Sequence, residues 1–133
     1  MTTGERVQSE VLIVDDLQGT REILREMLQE IGFINIEEAS DGIEAMDKLK
    51  THRFGLIISD FDMKRMSGLE FLFEVRKNSA TKELPFIMLS AKTDPTTIDQ
   101  AQREGKAHFL FKPLDYNQLE AKIMQLIRRR FTE

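Results

Sequence analysis

Five polar side chains in this sequence come at or just after short apolar runs that are typical of β-strands. They are three carboxylates, a hydroxyl and an amine: Asp15, Asp16, Asp60, Ser90 and Lys112. Carboxylates brought together repel one another unless a cation lies among them, and oxygen ligands without histidine or cysteine favour Mg²⁺ or a similar hard divalent ion. A lysine and a serine can both hydrogen-bond phosphate oxygens. Together these groups fit phosphoryl transfer to an aspartate, and we expect Asp60 to be the acceptor.

The apolar runs that must position these residues alternate with helical patterns along the chain. We predict strands at 11–14, 35–39, 56–59, 85–89 and 108–111. Apolar residues recur at helical spacing between them, and the last such pattern begins near Tyr116. This alternation predicts an α/β fold with a parallel sheet and helices on both faces. Because parallel strands end at one edge of the sheet, the candidate residues are expected to converge there.

Length and composition limit the possible functions. The 133 residues suit one domain over 1–133, with a polar N-terminal extension at 1–9 and a tail at 129–133. No apolar run approaches the ~18–20 residues that span a bilayer, and the N-terminus lacks a secretory signal, so we expect a cytoplasmic protein without membrane contact. The absence of cysteine excludes disulfides and thiolate catalysis. A net charge of −4 with interspersed signs argues against nucleic-acid binding.

At these residues the chain resembles the receiver domains of bacterial two-component systems, most of all the single-domain, CheY-like receivers of chemotaxis. The resemblance covers roughly residues 10–128. Its motifs are an acidic pair after the first strand, the acceptor after the third, Ser or Thr after the fourth and Lys-Pro after the fifth. It implies a flavodoxin-like, doubly wound (βα)5 fold with a five-stranded parallel sheet in the order 2-1-3-4-5.

The resemblance also implies a role for each site residue. The phosphoacceptor of the family corresponds to Asp60. The residues that hold Mg²⁺ correspond to Asp15, Asp16, Asp60 and, through its backbone carbonyl, Asp62. The residues that contact the phosphoryl group correspond to Ser90 and Lys112.

Further positions concern how the phosphorylated state is recognised and lost. Phe109 stands where chemotaxis receivers usually have tyrosine, and the resemblance implies that Ser90 and Phe109 form a conformational switch without a tyrosine hydroxyl. Asp62 and Lys92 flank the path of attacking water in this family, and we hypothesise that an ion pair between them modulates loss of the phosphoryl group. Lys64 replaces the proline that is common four residues after the acceptor, which predicts a more flexible loop.

Each residue taken alone also has a purely structural interpretation. Asp15 and Asp16 could cap the first helix, Lys112 could be a solvated surface lysine, and Ser90 could be a turn residue. Phe109 could be a core aromatic. The site interpretation is favoured because several strand ends carry the required residue types together.

The function that follows is that of a single-domain response regulator. A histidine kinase or phosphotransfer protein would phosphorylate Asp60, and the change would alter binding of a target protein through the fourth helix, fifth strand and fifth helix. The pathway would be chemotaxis or another two-component system. We expect a monomeric signalling protein that assists its own phosphorylation and dephosphorylation, rather than an enzyme.

A Mg²⁺-dependent phosphatase of the haloacid dehalogenase type is the alternative. Asp60-Phe61-Asp62 fits the opening of its motif, with the first aspartate as nucleophile and the second as general acid. Those phosphatases place the nucleophile after the first strand and the acidic pair last, whereas here the acidic pair comes first. Lys64 also stands where they prefer Thr or Val.

Overall fold

A single parallel sheet runs through the computed structural model, which describes residues 7–91 and 94–132. Its strands are β1 (Val7–Val14), β2 (Phe33–Ala39), β3 (Phe54–Asp60), β4 (Phe86–Ser90) and β5 (His108–Phe111). They lie in the order β2-β1-β3-β4-β5, and each neighbouring pair is parallel. This order confirms the predicted flavodoxin-like fold.

Helices connect the strands, and several of them follow residues whose side chains cap the first turn. They are α1 (Gln18–Ile31), α2 (Gly42–Leu49), α3 (Gly68–Lys77), α4 (Pro95–Arg103) and α5 (Tyr116–Thr132). The side chains of Asp41, Ser67 and Asp94 each accept a backbone N–H in the first turn of α2, α3 and α4. None of the helices in the described ranges is long and apolar enough to span a membrane.

The sheet separates two apolar cores. Alternate β1 residues face opposite sides, so Val11 and Ile13 pack with α1 and α5, while Leu12 and Val14 pack with α2, α3 and α4. Every residue of β3 is buried, because helices cover both faces of this strand. Burial of each large apolar side chain contributes about 1.5–3 kcal/mol, so the end of β3 is firmly positioned.

The chain ends differ from the predicted boundaries. β1 begins at Val7, which pairs with Phe33, so residues 7–9 belong to the strand rather than to the predicted extension at 1–9. The polar residues at 8–10 lack the apolar pattern on which the prediction relied. α5 continues to Thr132, so residues 129–132 of the predicted tail are helical. Backbone hydrogen bonding can extend a helix beyond its apolar stripe.

Candidate functional site

β3 brings Asp60 to the carboxyl edge of the sheet, between β1 and β4. Asp60 is the last residue of the strand, and its exposed fraction is only 5%. The next residue, Phe61, donates its backbone N–H to the carbonyl oxygen of Leu89 at 2.8 Å, which holds the departing chain beside β4. The structure therefore places the predicted acceptor in a rigid, largely dehydrated position.

The predicted acidic pair lies beside Asp60. A carboxylate oxygen from each of Asp15, Asp16 and Asp60 lies within 4.8 Å of the others. Asp15 is buried, and its Oδ1 accepts the backbone N–H of Leu17 at 2.9 Å. Among the described residues, Asp15 Oδ2 is buried without a hydrogen-bond donor. A buried, unpaired carboxylate oxygen is costly, and its presence in an all-oxygen cluster fits a site for a hard cation such as Mg²⁺.

Lys112 supplies an ammonium group to the same cluster. It directly follows β5, and its Nζ donates to Asp60 Oδ1 at 2.5 Å. Its backbone N–H donates to the carbonyl oxygen of Ser90 at 2.9 Å, which fixes the start of this loop to the end of β4. The Lys112-Pro113 peptide bond is cis. Lys112 is thus tied by its backbone to β4 and by its side chain to Asp60.

Ser90 and Phe109 lie close to this edge on neighbouring strands. Ser90 is the last residue of β4 and is buried. Phe109 lies on β5 opposite Met88 and packs into the core covered by α2, α3 and α4. The Phe109 ring lies 6.1 Å from the ring of Phe111, which is 48% exposed. One aromatic ring of β5 therefore faces the core while its stacked neighbour faces solvent.

The electrostatics of the site show a shortage of positive charge. Burial raises the pKa of Asp60 above its ordinary value, although the hydrogen bond and charge of Lys112 oppose this shift. Burial also raises the pKa of Asp15, and the nearby charge of Asp60 adds to that effect. For Lys112, burial lowers the pKa, but its interactions with Asp60 and Asp15 outweigh burial and raise it. The arrangement favours an additional cation.

Two predicted positions lie at the margin of the site. Asp62 is exposed in the loop after β3, two residues beyond the acceptor. Lys92 lies outside the described residues, so its ion pair with Asp62 stays a prediction. Sequence reasoning missed Arg65, whose guanidinium binds Asp41 at the start of α2.

A second cluster of possible metal ligands comprises Glu10, Glu37 and His52. Its groups already have partners within the described chain: His52 Nδ1 lies 3.2 Å from Glu10 Oε2, and Glu37 Oε1 accepts from Lys48 Nζ at 3.2 Å. This cluster therefore differs from the Asp60 site, where one buried carboxylate oxygen has no partner in the part of the chain that the structure describes.

Known proteins similar to this chain belong to the family that the geometry of the site indicates. Residues 11–124 match the family model of the response regulator receiver domain. Chemotaxis protein CheY-3 of Vibrio cholerae is 32% identical over 119 residues, covering 90% of this chain and 92% of that protein. Chemotaxis protein CheY of Pseudomonas aeruginosa is 33% identical, with coverage of 90% and 96%. A solved structure of V. cholerae CheY4 is 34% identical, with a TM-score of 0.83 and coverage of 90% and 99%.

These matches extend over β1 to α5 and include all five predicted site residues. They agree with the parallel sheet and with the acidic edge at which β3 ends. The chain therefore belongs to the family of response regulator receiver domains and is a CheY-like signalling domain of the two-component type.

Proposed function

We propose that this domain accepts a phosphoryl group on Asp60 from the phosphohistidine of a sensor kinase or phosphotransfer protein. The observation that carries this proposal is the buried carboxylate at the end of β3, which is paired with Lys112 and lies beside an oxygen of Asp15 that has no partner among the described residues. A structural ion pair would not require the additional carboxylates of Asp15 and Asp16.

The transfer uses Asp60 as nucleophile. One carboxylate oxygen forms a P–O bond while the P–N bond of the donor breaks, and the electron pair of the broken bond remains on the imidazole nitrogen, which then takes up a proton. Lys112, which is already hydrogen-bonded to Asp60, donates a hydrogen bond from its ammonium group to a phosphoryl oxygen. Ser90 offers its hydroxyl from the neighbouring strand. The buried edge excludes water and strengthens each of these interactions.

The residues that would hold Mg²⁺ are Asp15, Asp16, Asp60 and the backbone carbonyl of Asp62. Asp15 Oδ2, which has no hydrogen-bond donor within 7–91 and 94–132, supports this assignment, as does the all-oxygen ligand set. Bound Mg²⁺ would offset the negative charge of the phosphoryl oxygens. Among the described residues, the chain supplies the acceptor Asp60 and one positive charge, the ammonium group of Lys112, and the acidic cluster would hold Mg²⁺ as the second.

Phosphorylation would be recognised through β5 and its flanking helices, α4 and α5. Ser90 and Phe109 would act as the switch, since they lie on adjacent strands between the acceptor and this face. The exposed ring of Phe111, stacked on Phe109, supports an aromatic contact with a target protein. The chemotaxis relatives favour a chemotaxis target, with another two-component pathway as the alternative. We expect the domain to act as a cytoplasmic monomer.

Incubation with Mg²⁺ and acetyl phosphate tests the proposal. Intact mass spectrometry should show one labile phosphoryl adduct per chain, which does not form when Mg²⁺ is chelated before acetyl phosphate is added and never forms in Asp60→Asn. Absence of an adduct on the wild-type protein would contradict the proposal. Sustained hydrolysis of a phosphomonoester by Asp60 and Asp62 would instead support the haloacid dehalogenase-type phosphatase.

The lifetime of the adduct tests the proposed modulation by Asp62 and Lys92. After removal of acetyl phosphate, decay of the adduct should change in both Asp62→Asn and Lys92→Ala, because each substitution alters the charge beside the path of attacking water. Lys77→Ala is a matched control, since Lys77 is an exposed lysine on α3 that pairs with Glu74. Decay rates equal to wild type in both site variants would refute the modulation.

A further inference from the structure

Arg65 attaches the β3–α3 loop, residues 61–67, to the start of α2. Its Nε and Nη2 both donate to Asp41 Oδ2, at 2.9 Å and 2.5 Å. Asp41 is buried and is the N-cap residue of α2, where its Oδ1 accepts the backbone N–H of Glu44 at 2.8 Å. A single carboxylate therefore joins the loop that follows the acceptor to the helix that follows β2.

A second contact lies next to this ion pair. Met66 packs so closely on Gly42 that a Cβ atom at Gly42 would come within 2.7 Å of its sulfur. The ends of the loop are also joined, because Gly68 donates its backbone N–H to the carbonyl oxygen of Phe61 at 2.8 Å. The loop contains no proline. Its middle is held by these contacts with α2 and by one internal hydrogen bond, in which Met66 donates its backbone N–H to the carbonyl oxygen of Lys64 at 2.7 Å.

The backbone of Arg65 has an uncommon conformation at this point of the loop. Its φ angle is 68°, in the left-handed region that is unfavourable for residues with a Cβ atom. Two charge-assisted hydrogen bonds to a buried carboxylate compensate for this strain. The segment that carries Asp41 also supports the acidic pair, since Ala39 accepts the backbone N–H of Asp15 at 3.1 Å. Arg65 therefore connects two sides of the site.

We propose that Arg65 is a positioning residue for the metal site, holding the β3–α3 loop in the conformation from which the Asp62 backbone carbonyl is offered to Mg²⁺. This inference rests on the proposed Mg²⁺-dependent function. Arg65 acts through Asp41 and the loop backbone and does not itself contact the metal or the phosphoryl group.

The direction of the effect separates positioning from simple electrostatics. Removing Arg65 deletes a positive charge from the loop that follows the acceptor and leaves the negative charge of Asp41 uncompensated. By Coulomb's law alone, both changes strengthen binding of a divalent cation. Loss of loop positioning has the opposite effect, because binding must then include the free-energy cost of ordering the loop.

Calorimetric titration with Mg²⁺ tests the proposal. We expect Arg65→Ala and Arg65→Gly to bind Mg²⁺ about three- to tenfold more weakly than wild type. Glycine tolerates the left-handed conformation, so Arg65→Gly removes the side chain without retaining the strain. Asp41→Asn preserves a helix-capping oxygen and should also weaken binding. The double variant Arg65→Gly/Asp41→Asn should bind Mg²⁺ about as strongly as whichever single variant binds it less well, since both substitutions remove the same contact.

Lys77→Ala is the control, because it removes one positive charge and an exposed ion pair at 3.1 Å on α3, and its affinity for Mg²⁺ should equal that of wild type.

Hydrogen–deuterium exchange without Mg²⁺ gives an independent readout: the amides of Met66 and Gly68 should exchange faster in Arg65→Gly. If wild type binds Mg²⁺ and both Arg65 variants bind it equally or more tightly, the positioning role is overturned while the proposed function stands. Absence of Mg²⁺ binding by wild type would overturn the proposed function and this inference together.

Discussion

Two groups of charged residues on opposite sides of β1 have opposite charge balances. At the end of β3, the three carboxylates of Asp15, Asp16 and Asp60 lie together, and the described residues bring one ammonium group there, that of Lys112. Burial raises the pKa of both Asp15 and Asp60, and Asp15 Oδ2 has no donor within the described chain.

On the α1–β2 side, one carboxylate meets two guanidinium groups. Glu38 accepts from Arg21 Nε at 2.9 Å and from Arg25 Nε at 2.7 Å. Burial alone raises the pKa of Glu38, but the hydrogen bonds and charges of the two arginines outweigh it and lower the pKa. The contrast indicates that the Glu38 cluster stabilises the fold, whereas the Asp60 cluster reduces stability in the absence of the Mg²⁺ that we propose it binds.

The largest effect that would test this contrast is expected for Asp15→Asn. The neutral amide keeps an oxygen for the Leu17 N–H and removes one of the repelling charges, so the free energy of unfolding without metal should rise by about 1–3 kcal/mol. The same variant should lose the additional stability that Mg²⁺ confers on wild type. Urea unfolding with and without Mg²⁺ measures both quantities. A decrease in metal-free stability would contradict the contrast.

Glu38→Gln should have a smaller effect of opposite sign. The substitution leaves Arg21 and Arg25 without a negative partner, so the free energy of unfolding should fall by about 1 kcal/mol. Its increase in stability on addition of Mg²⁺ should equal that of wild type, since Glu38 lies outside the acidic site. The same urea experiment provides the measurement, and an altered Mg²⁺ response would show that the two clusters are coupled.

The smallest expected effect is the pH dependence of the difference in unfolding free energy between wild type and each of the two variants. The folded pKa of Asp15 lies above its unfolded value of 3.8, so its ionised form destabilises the protein at neutral pH. The difference in unfolding free energy between wild type and Asp15→Asn should decrease as pH falls through the raised pKa, and should vanish below pH 3.8.

Glu38 should behave in the opposite way. Its folded pKa lies below the unfolded value of 4.5, so the advantage of wild type over Glu38→Gln is present above 4.5 and is lost as pH falls through the lowered pKa. Urea unfolding of all three proteins between neutral and acidic pH measures both trends. If both differences in unfolding free energy changed with pH in the same direction, the distinction between the two clusters would be wrong.

The sequence allowed the sheet and the candidate site to be predicted because the required signals are local. Short apolar runs marked the strands, and the residue types that followed them identified Asp15, Asp60, Ser90 and Lys112. Parallel topology then brought residues distant in sequence together at the edge where strands β1, β3, β4 and β5 end.

Contacts that depend on tertiary structure could not be predicted in this way. The pair between Arg65 and Asp41 requires a left-handed residue in an irregular loop, for which an arginine gives no signal. The start of β1 at Val7 was missed because Gln8 and Ser9 lack an apolar pattern. Arg21 and Arg25 are four residues apart on α1, but only the pairing of β1 with β2 places Glu38 between them.

Chemical mapping of the modified residue tests the central claim most directly. Borohydride reduces an aspartyl phosphate to homoserine, so wild-type protein treated with acetyl phosphate and Mg²⁺ can be reduced, digested and sequenced by mass spectrometry. We predict homoserine at position 60 and at no other aspartate, and none when Mg²⁺ is chelated before phosphorylation. Unmodified Asp60 in the presence of both reagents, or homoserine at another position, would contradict the assignment of Asp60 as phosphoacceptor.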